Sequence, residues 1–120
     1  MASTEVRRED QERINEFSRL NTRRHEIEAE ISARKASLED IEEAGNELML
    51  ADDEEIPFVV GECFLRVSQE EAEERLKAAE EADAEAVGRL EGEKKDLEVR
   101  MDALKKVLYA HFGNAINLEE

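Results

Sequence analysis

Residues 56–67 read IPFVVGECFLRV, and this short stretch constrains the chain more than any other. It alone lacks a helical charge pattern, and it holds the densest run of β-branched and aromatic residues. Gly61-Glu62 separates Phe58-Val59-Val60 from Cys63-Phe64-Leu65-Arg66-Val67. Two strand-like runs joined by a Gly-X pair predict a β-hairpin, because Gly accepts the positive φ of a two-residue turn. The competing reading is a kinked apolar loop between two helices. Side chains alternate along a strand, so Phe58 and Val60 share one face and Val59 takes the other. On the return, Cys63, Leu65 and Val67 share a face, and Phe64 and Arg66 lie opposite. Both faces of the ribbon are therefore apolar. A lone two-stranded hairpin is marginal in water, and open edges invite more strands. Nothing else in the chain reads as strand, so the missing strands are expected from other subunits.

The flanks read as helix. From about residue 8 to 48, Phe17, Leu20, Ile27, Ile31, Leu38, Ile41 and Leu48 recur in alternating steps of three and four, a coiled-coil seam. Arg24, Arg34 and Gly45 interrupt it. Residues 49–55 form a connector whose acids, Asp52-Asp53-Glu54-Glu55, lack the alternating oxygens and Gly turn of a calcium loop and read as a solvated turn. Ser68-Gln69-Glu70-Glu71 matches a capping box and opens a second helix, running to about residue 111. Its seam is Leu76, Val87, Leu90, Leu97, Met101, Leu104 and Leu108, interrupted by Glu80, Asp83 and Lys94. Gly113 reads as a C-cap, and the tail of 112–120 carries Ile116 and Leu118 with no seam to join.

Two helices of equal length, each roughly 60 Å at 1.5 Å per residue, joined by a compact hairpin, predict a mainly α fold: one long antiparallel two-helix coiled coil spanning residues 1–120 as a single domain. Two registers compete. Matching apolar groups sets Leu20 against Leu108, Ile27 against Met101, Ile31 against Leu97, Leu38 against Leu90 and Ile41 against Val87, and is favoured on that ground. A register about one heptad away matches the helix ends better but faces more apolar groups with charges.

The sequence carries 33 acidic and 17 basic side chains, a net charge of −16, and only 4% aromatic residues. That is too few large apolar groups for a globular core, and regular seam spacing argues against disorder. The acidic balance disfavours nucleic acid and anionic membranes, and no apolar run approaches the roughly 20 residues of a membrane span. The N-terminus lacks the apolar core of a signal peptide, and one Cys fits a reducing compartment. A cytoplasmic protein is expected, with room for a nuclear pool. No Gly-rich phosphate loop, catalytic triad or paired Cys is present, so neither catalysis, cofactor nor metal is expected. His25 and His111 read as solvated or seam-edge residues, and Cys63 as a small buried hydrophobe.

Helix, short hairpin, helix with matched arms resembles the β-type subunits of the prefoldin family, most of all its subunit 4 branch. The motifs that carry the resemblance are Met49-Leu50-Ala51-Asp52-Asp53 through Ile56-Pro57-Phe58 to Gly61-Glu62, and Phe112-Gly113 through Ile116-Asn117-Leu118-Glu119. Asp10-Gln11 followed by Ile14-Asn15 and Phe17 also fits. The resemblance covers nearly the whole chain, and its heptads are the least specific part.

The resemblance implies a heterohexamer of two α-type and four β-type subunits whose hairpins combine into β-barrels. It implies an ATP-independent co-chaperone whose arm tips hold unfolded proteins, actin and tubulin among them, and pass them to the cytosolic group II chaperonin. Carried onto this chain, the assembly residues are Phe58, Val59, Val60, Gly61, Cys63, Phe64, Leu65 and Val67. Client contacts fall where the helix termini meet: Ile14, Phe17, Leu20, Leu108, Tyr109, Phe112, Ile116 and Leu118. Ordinary seam packing is the plainer reading for Phe17 and Leu20. The alternative function is a structural coiled-coil tether without chaperone activity, and the two-sided apolar hairpin speaks against it.

Overall fold

Apolar residues at three-four spacing build helix, and the β-branched run between them builds strand; the chain does both in that order. A computed structural model describes residues 8–50, 55–60 and 63–118, the side chains at 55, 58–60, 63–66 and 114 lying outside that description. The elements are α1 (Arg8–Leu50), β1 (Glu55–Val60), β2 (Cys63–Ser68), α2 (Gln69–Phe112) and a 3-10 turn, Gly113–Ala115. They form two compact units: Met1–Glu30 with Leu90–Glu120, and Ile31–Arg89.

The second unit holds the hairpin. β1 and β2 pair antiparallel in the register Ile56↔Val67, Phe58↔Leu65, Val59↔Phe64 and Val60↔Cys63. Directly opposed residues share a face, so positions 56, 58, 60, 63, 65 and 67 line one side and 57, 59, 64 and 66 the other. The first side begins in a small core. Leu48 from the end of α1, Val67 from β2 and Ala72 from the start of α2 are buried together, with Ile56 and Leu76 packed against them. Burying side chains of this size contributes roughly 1.5–3 kcal/mol each as an upper value. Ser68 caps α2 by accepting the Glu71 N–H on its Oγ at 3.2 Å. The Gln69 side-chain amide donates to the Leu48 carbonyl at 3.0 Å, which ties the last turn of α1 to the first turn of α2.

In the first unit the buried apolar set is Phe17 and Ile27 from α1 with Leu90, Leu97, Met101, Leu104 and Leu108 from α2. The helices run antiparallel here. Glu16 accepts from Arg100 at 2.7 and 2.9 Å, and Glu93 accepts from Arg23 at 2.9 and 3.1 Å. Glu28 lies 3.4 Å from Lys94. Exposed pairs of this kind add little stability, but their bidentate geometry fixes alignment.

That alignment corrects the apolar-matched register. The favoured register would bring Glu16 opposite Phe112, Asp83 opposite Gly45 and Arg34 opposite Lys94. Instead Arg34 pairs with Asp83 in the second unit and Glu16 with Arg100 in the first. The offset is about one heptad, toward the register that matches the helix ends. The physical reason is that the seam residue Arg34 meets Asp83 in this alignment and would meet Lys94 in the other.

α2 ends where Gly113 takes φ 58°, a left-handed conformation that costs a residue with a Cβ and suits Gly. The chain then passes through the 3-10 turn into extended backbone at Ile116.

Candidate functional site

Two places gather the residues singled out above. The first is the hairpin. The backbones of Phe58, Val59, Val60, Cys63, Phe64 and Leu65 lie in the paired strands, and Gly61 falls outside the described residues. Val67 is buried in the small core beside Ile56. One side of the ribbon thus starts from a core supplied by this chain. Met49 and Leu50, which close α1 beside that core, are 78% and 84% exposed. The sequence reading placed these two in a connector and assigned them no site role.

The second place is the end of the first unit, where α1 begins and α2 finishes. Phe17, Leu108 and Leu118 are buried there. Ile14, Leu20, Phe112 and Ile116 are half-buried, and Tyr109 is exposed. Leu118, expected to find no seam, returns to the helices. It shares a cleft of about 440 Å³ with Ile14, Phe17, Ser18, Asn21 and Asn117. Its backbone N–H donates to the Tyr109 Oη at 3.3 Å. Ile14, Phe17, Ser18 and Asn21 fall at i, i+3, i+4 and i+7, so the cleft lies along one face of α1.

A polar cluster closes the same end. The buried Asp10 carboxylate accepts from Arg13 at 2.7 Å and from His111 Nδ1 at 2.8 Å. A carboxylate only accepts, so Nδ1 carries the proton. The hydrogen bond from His111, then Arg13, holds the Asp10 carboxyl below its usual value against the opposing effect of burial. His111 sits at the seam edge, with its ring edge-on to Phe112 at 6.4 Å. His25 is exposed, 3.8 Å from Glu28. The Asp10–His111 pairing was missed because 101 residues separate the partners and only the correct register joins them.

A second polar cluster sits in the seam of the second unit. Asp83 is buried and accepts from Ser37 Oγ at 2.6 Å and Arg34 at 2.8 Å. These two bonds, Ser37 first, lower its carboxyl pKa. The sign follows. A carboxyl whose folded value lies below its unfolded value, near 3.9, adds stability above that value and loses it as pH falls through the folded value. Stability is therefore expected to drop progressively below about pH 4, and Asp83→Asn should flatten that drop. Urea midpoints measured from pH 5 to pH 2 check this; parallel curves for the two proteins would remove Asp83 from the account.

Among the described residues no group of three His, Cys or acidic side chains is placed to hold a metal, and no helix is long and apolar enough to cross a membrane.

The chain is 40% identical to a probable prefoldin subunit 4 of Drosophila melanogaster over 112 residues, 92% of this chain and 81% of that protein. It is 40% identical to prefoldin subunit 4 of Homo sapiens over 113 residues, 92% of this chain and 84% of that one. With prefoldin subunit 4 of Saccharomyces cerevisiae the identity is 37% over 118 residues, 98% and 92% of the two chains. The family model for the prefoldin subunit matches residues 11–115, a span that takes in the hairpin, α2 and all but the first three residues of α1. On these matches, the chain belongs to the prefoldin subunit family, a family of non-enzymatic chaperone subunits with coiled-coil helices.

Proposed function

We propose that this chain is the subunit 4 type β-subunit of a heterohexameric, ATP-independent co-chaperone, and that residues 1–120 work as one domain within it. Its hairpin adds two strands to a β-barrel built with other α- and β-type subunits. The helix ends hold unfolded proteins such as actin and tubulin and deliver them to the group II chaperonin in the cytoplasm. Family membership supports assembly with other prefoldin subunits. The observation that carries the reading is the strand register. It lines apolar positions on both sides of a two-stranded ribbon, and such a ribbon is marginal without further strands.

Holding unfolded chains needs no reaction. Half-buried Ile14, Phe112 and Ile116 together with exposed Tyr109 present apolar surface at a helix end. Each 100 Å² of such surface covered by a client contributes on the order of 2.5 kcal/mol. Several arms acting on one client multiply weak contacts through effective concentration. A net charge of −16 keeps acidic shafts apart.

The test is reconstitution. Mixed with the other subunits of a prefoldin set, the chain is expected to enter a hexamer seen by native mass spectrometry. That hexamer is expected to retain reduced, carboxymethylated lactalbumin, a permanently unfolded chain. Phe112→Asp should leave the hexamer intact and weaken retention by roughly tenfold, the weight of one buried aromatic contact. A chain that stays alone, or a hexamer that retains nothing, removes the reading.

A further inference from the structure

Three apolar residues in a row close α1, and this chain buries only the first. Leu48 is packed with Val67 and Ala72. Successive helical residues turn by about 100°, so Met49 and Leu50 swing away from that core. They are 78% and 84% exposed, and among the described residues no large apolar side chain is more exposed. Scattered apolar residues on a surface are ordinary, but an adjacent pair this bare, joined to a buried cluster, marks a contact. The pair is also held in place. Gln69 donates to the Leu48 carbonyl at 3.0 Å, which anchors this end of α1 to the start of α2. Val67 and Ile56 of the same cluster begin the ribbon side lined by positions 58, 60, 63 and 65. Met49 and Leu50 carry that apolar side onward onto a helix end.

Electrostatics say what kind of surface covers them. A helix C-terminus carries roughly half a negative charge, which basic side chains in the last turn usually answer. The last turn of α1 has none. Glu47 in that turn is exposed, and Asp52-Asp53-Glu54-Glu55 follow in the sequence. The bare apolar pair therefore has an acidic border. We infer that Met49 and Leu50 are covered by another prefoldin subunit, which presents an apolar patch bordered by Lys or Arg. This rests on the hexamer proposed above and adds to the hairpin a second contact, made outside the strands. A second copy of this chain fits the site poorly. It carries the same net charge of −16, and two acidic borders repel.

The experiment titrates the full chain against the other subunits of a prefoldin set and reads hexamer by native mass spectrometry. Far-UV circular dichroism follows melting of the chain alone. Met49→Ser with Leu50→Ser is expected to raise the concentration for half-assembly roughly a hundredfold, about tenfold for each buried side chain lost. The lone variant should melt as wild type does, because both side chains already face water. Met49→Leu with Leu50→Met keeps the apolar surface and should assemble within roughly threefold of wild type. Glu47→Lys should weaken assembly about fivefold by repelling the partner's cations. A double serine variant that assembles at wild-type concentrations overturns the inference and leaves the hexamer standing. One whose lone chain melts early also overturns it, by placing the pair in this chain's own packing. Normal assembly with weaker retention of carboxymethylated lactalbumin would assign the pair to clients instead. A wild-type homodimer lost in the double serine variant would assign it to a second copy, and either result overturns the inference. Tighter assembly with Glu47→Lys overturns the basic border. A wild-type chain that stays alone removes the hexamer and the inference together.

Discussion

Phe64→Asp is expected to exclude the chain from its complex while leaving both helices formed. Val67→Asp, three residues along the same strand, is expected to do something different: it should unfold the base of the hairpin. The contrast follows from strand register. Val67 opposes Ile56 and is buried with Leu48 and Ala72, so its environment is supplied by this chain. A carboxylate there loses the burial of a valine and gains an unsatisfied polar group, about 3–5 kcal/mol together. Position 64 opposes Val59 on the other side of the ribbon, away from that core. If other subunits cover that side, Phe64 is an aromatic anchor of the kind whose loss costs 2 kcal/mol or more, at least about thirtyfold in affinity. Native mass spectrometry and far-UV circular dichroism of the two variants separate the effects. A Phe64→Asp chain that assembles at wild-type concentrations would show that the second side of the ribbon is not an interface.

The two-sided ribbon was legible because period two is a short-range signal. Gly61-Glu62 fixes the link at two residues, and observed pairing of Val60 with Cys63 follows from it. The cap at Ser68 was legible for the same reason, since the donor is only three residues away. Register between the helices is a long-range property and was misjudged. Apolar matching favours the wrong alignment, because the register one heptad away sets more apolar residues against charged ones. Charges do discriminate. Arg34 meets Asp83 in the structure and would meet Lys94 in the rejected alignment. The interruptions of the seam therefore held more information than the seam itself.

At the end of the first unit the sequence named residues that the structure brings together, Ile14, Phe17 and Leu118 among them, but not their arrangement. Apolar residues past a C-cap announce a surface, but nothing local tells a tail to fold back. The return of Leu118 depends on the left-handed turn at Gly113 together with a hydroxyl on Tyr109, nine residues earlier. The Asp10–Arg13–His111 cluster likewise needs both chain ends in hand.

If polar seam residues set the alignment, replacing them should separate stability from specificity. The double variant Arg34→Leu with Asp83→Leu is expected to raise the thermal midpoint of the assembled protein by several degrees. Buried or half-buried ion pairs are often no better for stability than apolar groups of similar size, because each charge must give up water. Asp83→Leu alone should lower it, since Arg34 and Ser37 would both lose the acceptor they share. The double variant should also lose its single register. A leucine at position 34 no longer meets repulsion in the alternative alignment, and a leucine at position 83 no longer demands a cation. Spin labels on cysteines at positions 33 and 85, with Cys63→Ser, report this directly. Wild type should give one narrow distance, and the double leucine variant a second population displaced by about one heptad, roughly 10 Å along the helix axis. A more stable variant with an unchanged narrow distribution would mean that the bidentate Glu16–Arg100 and Arg23–Glu93 pairs hold the alignment on their own.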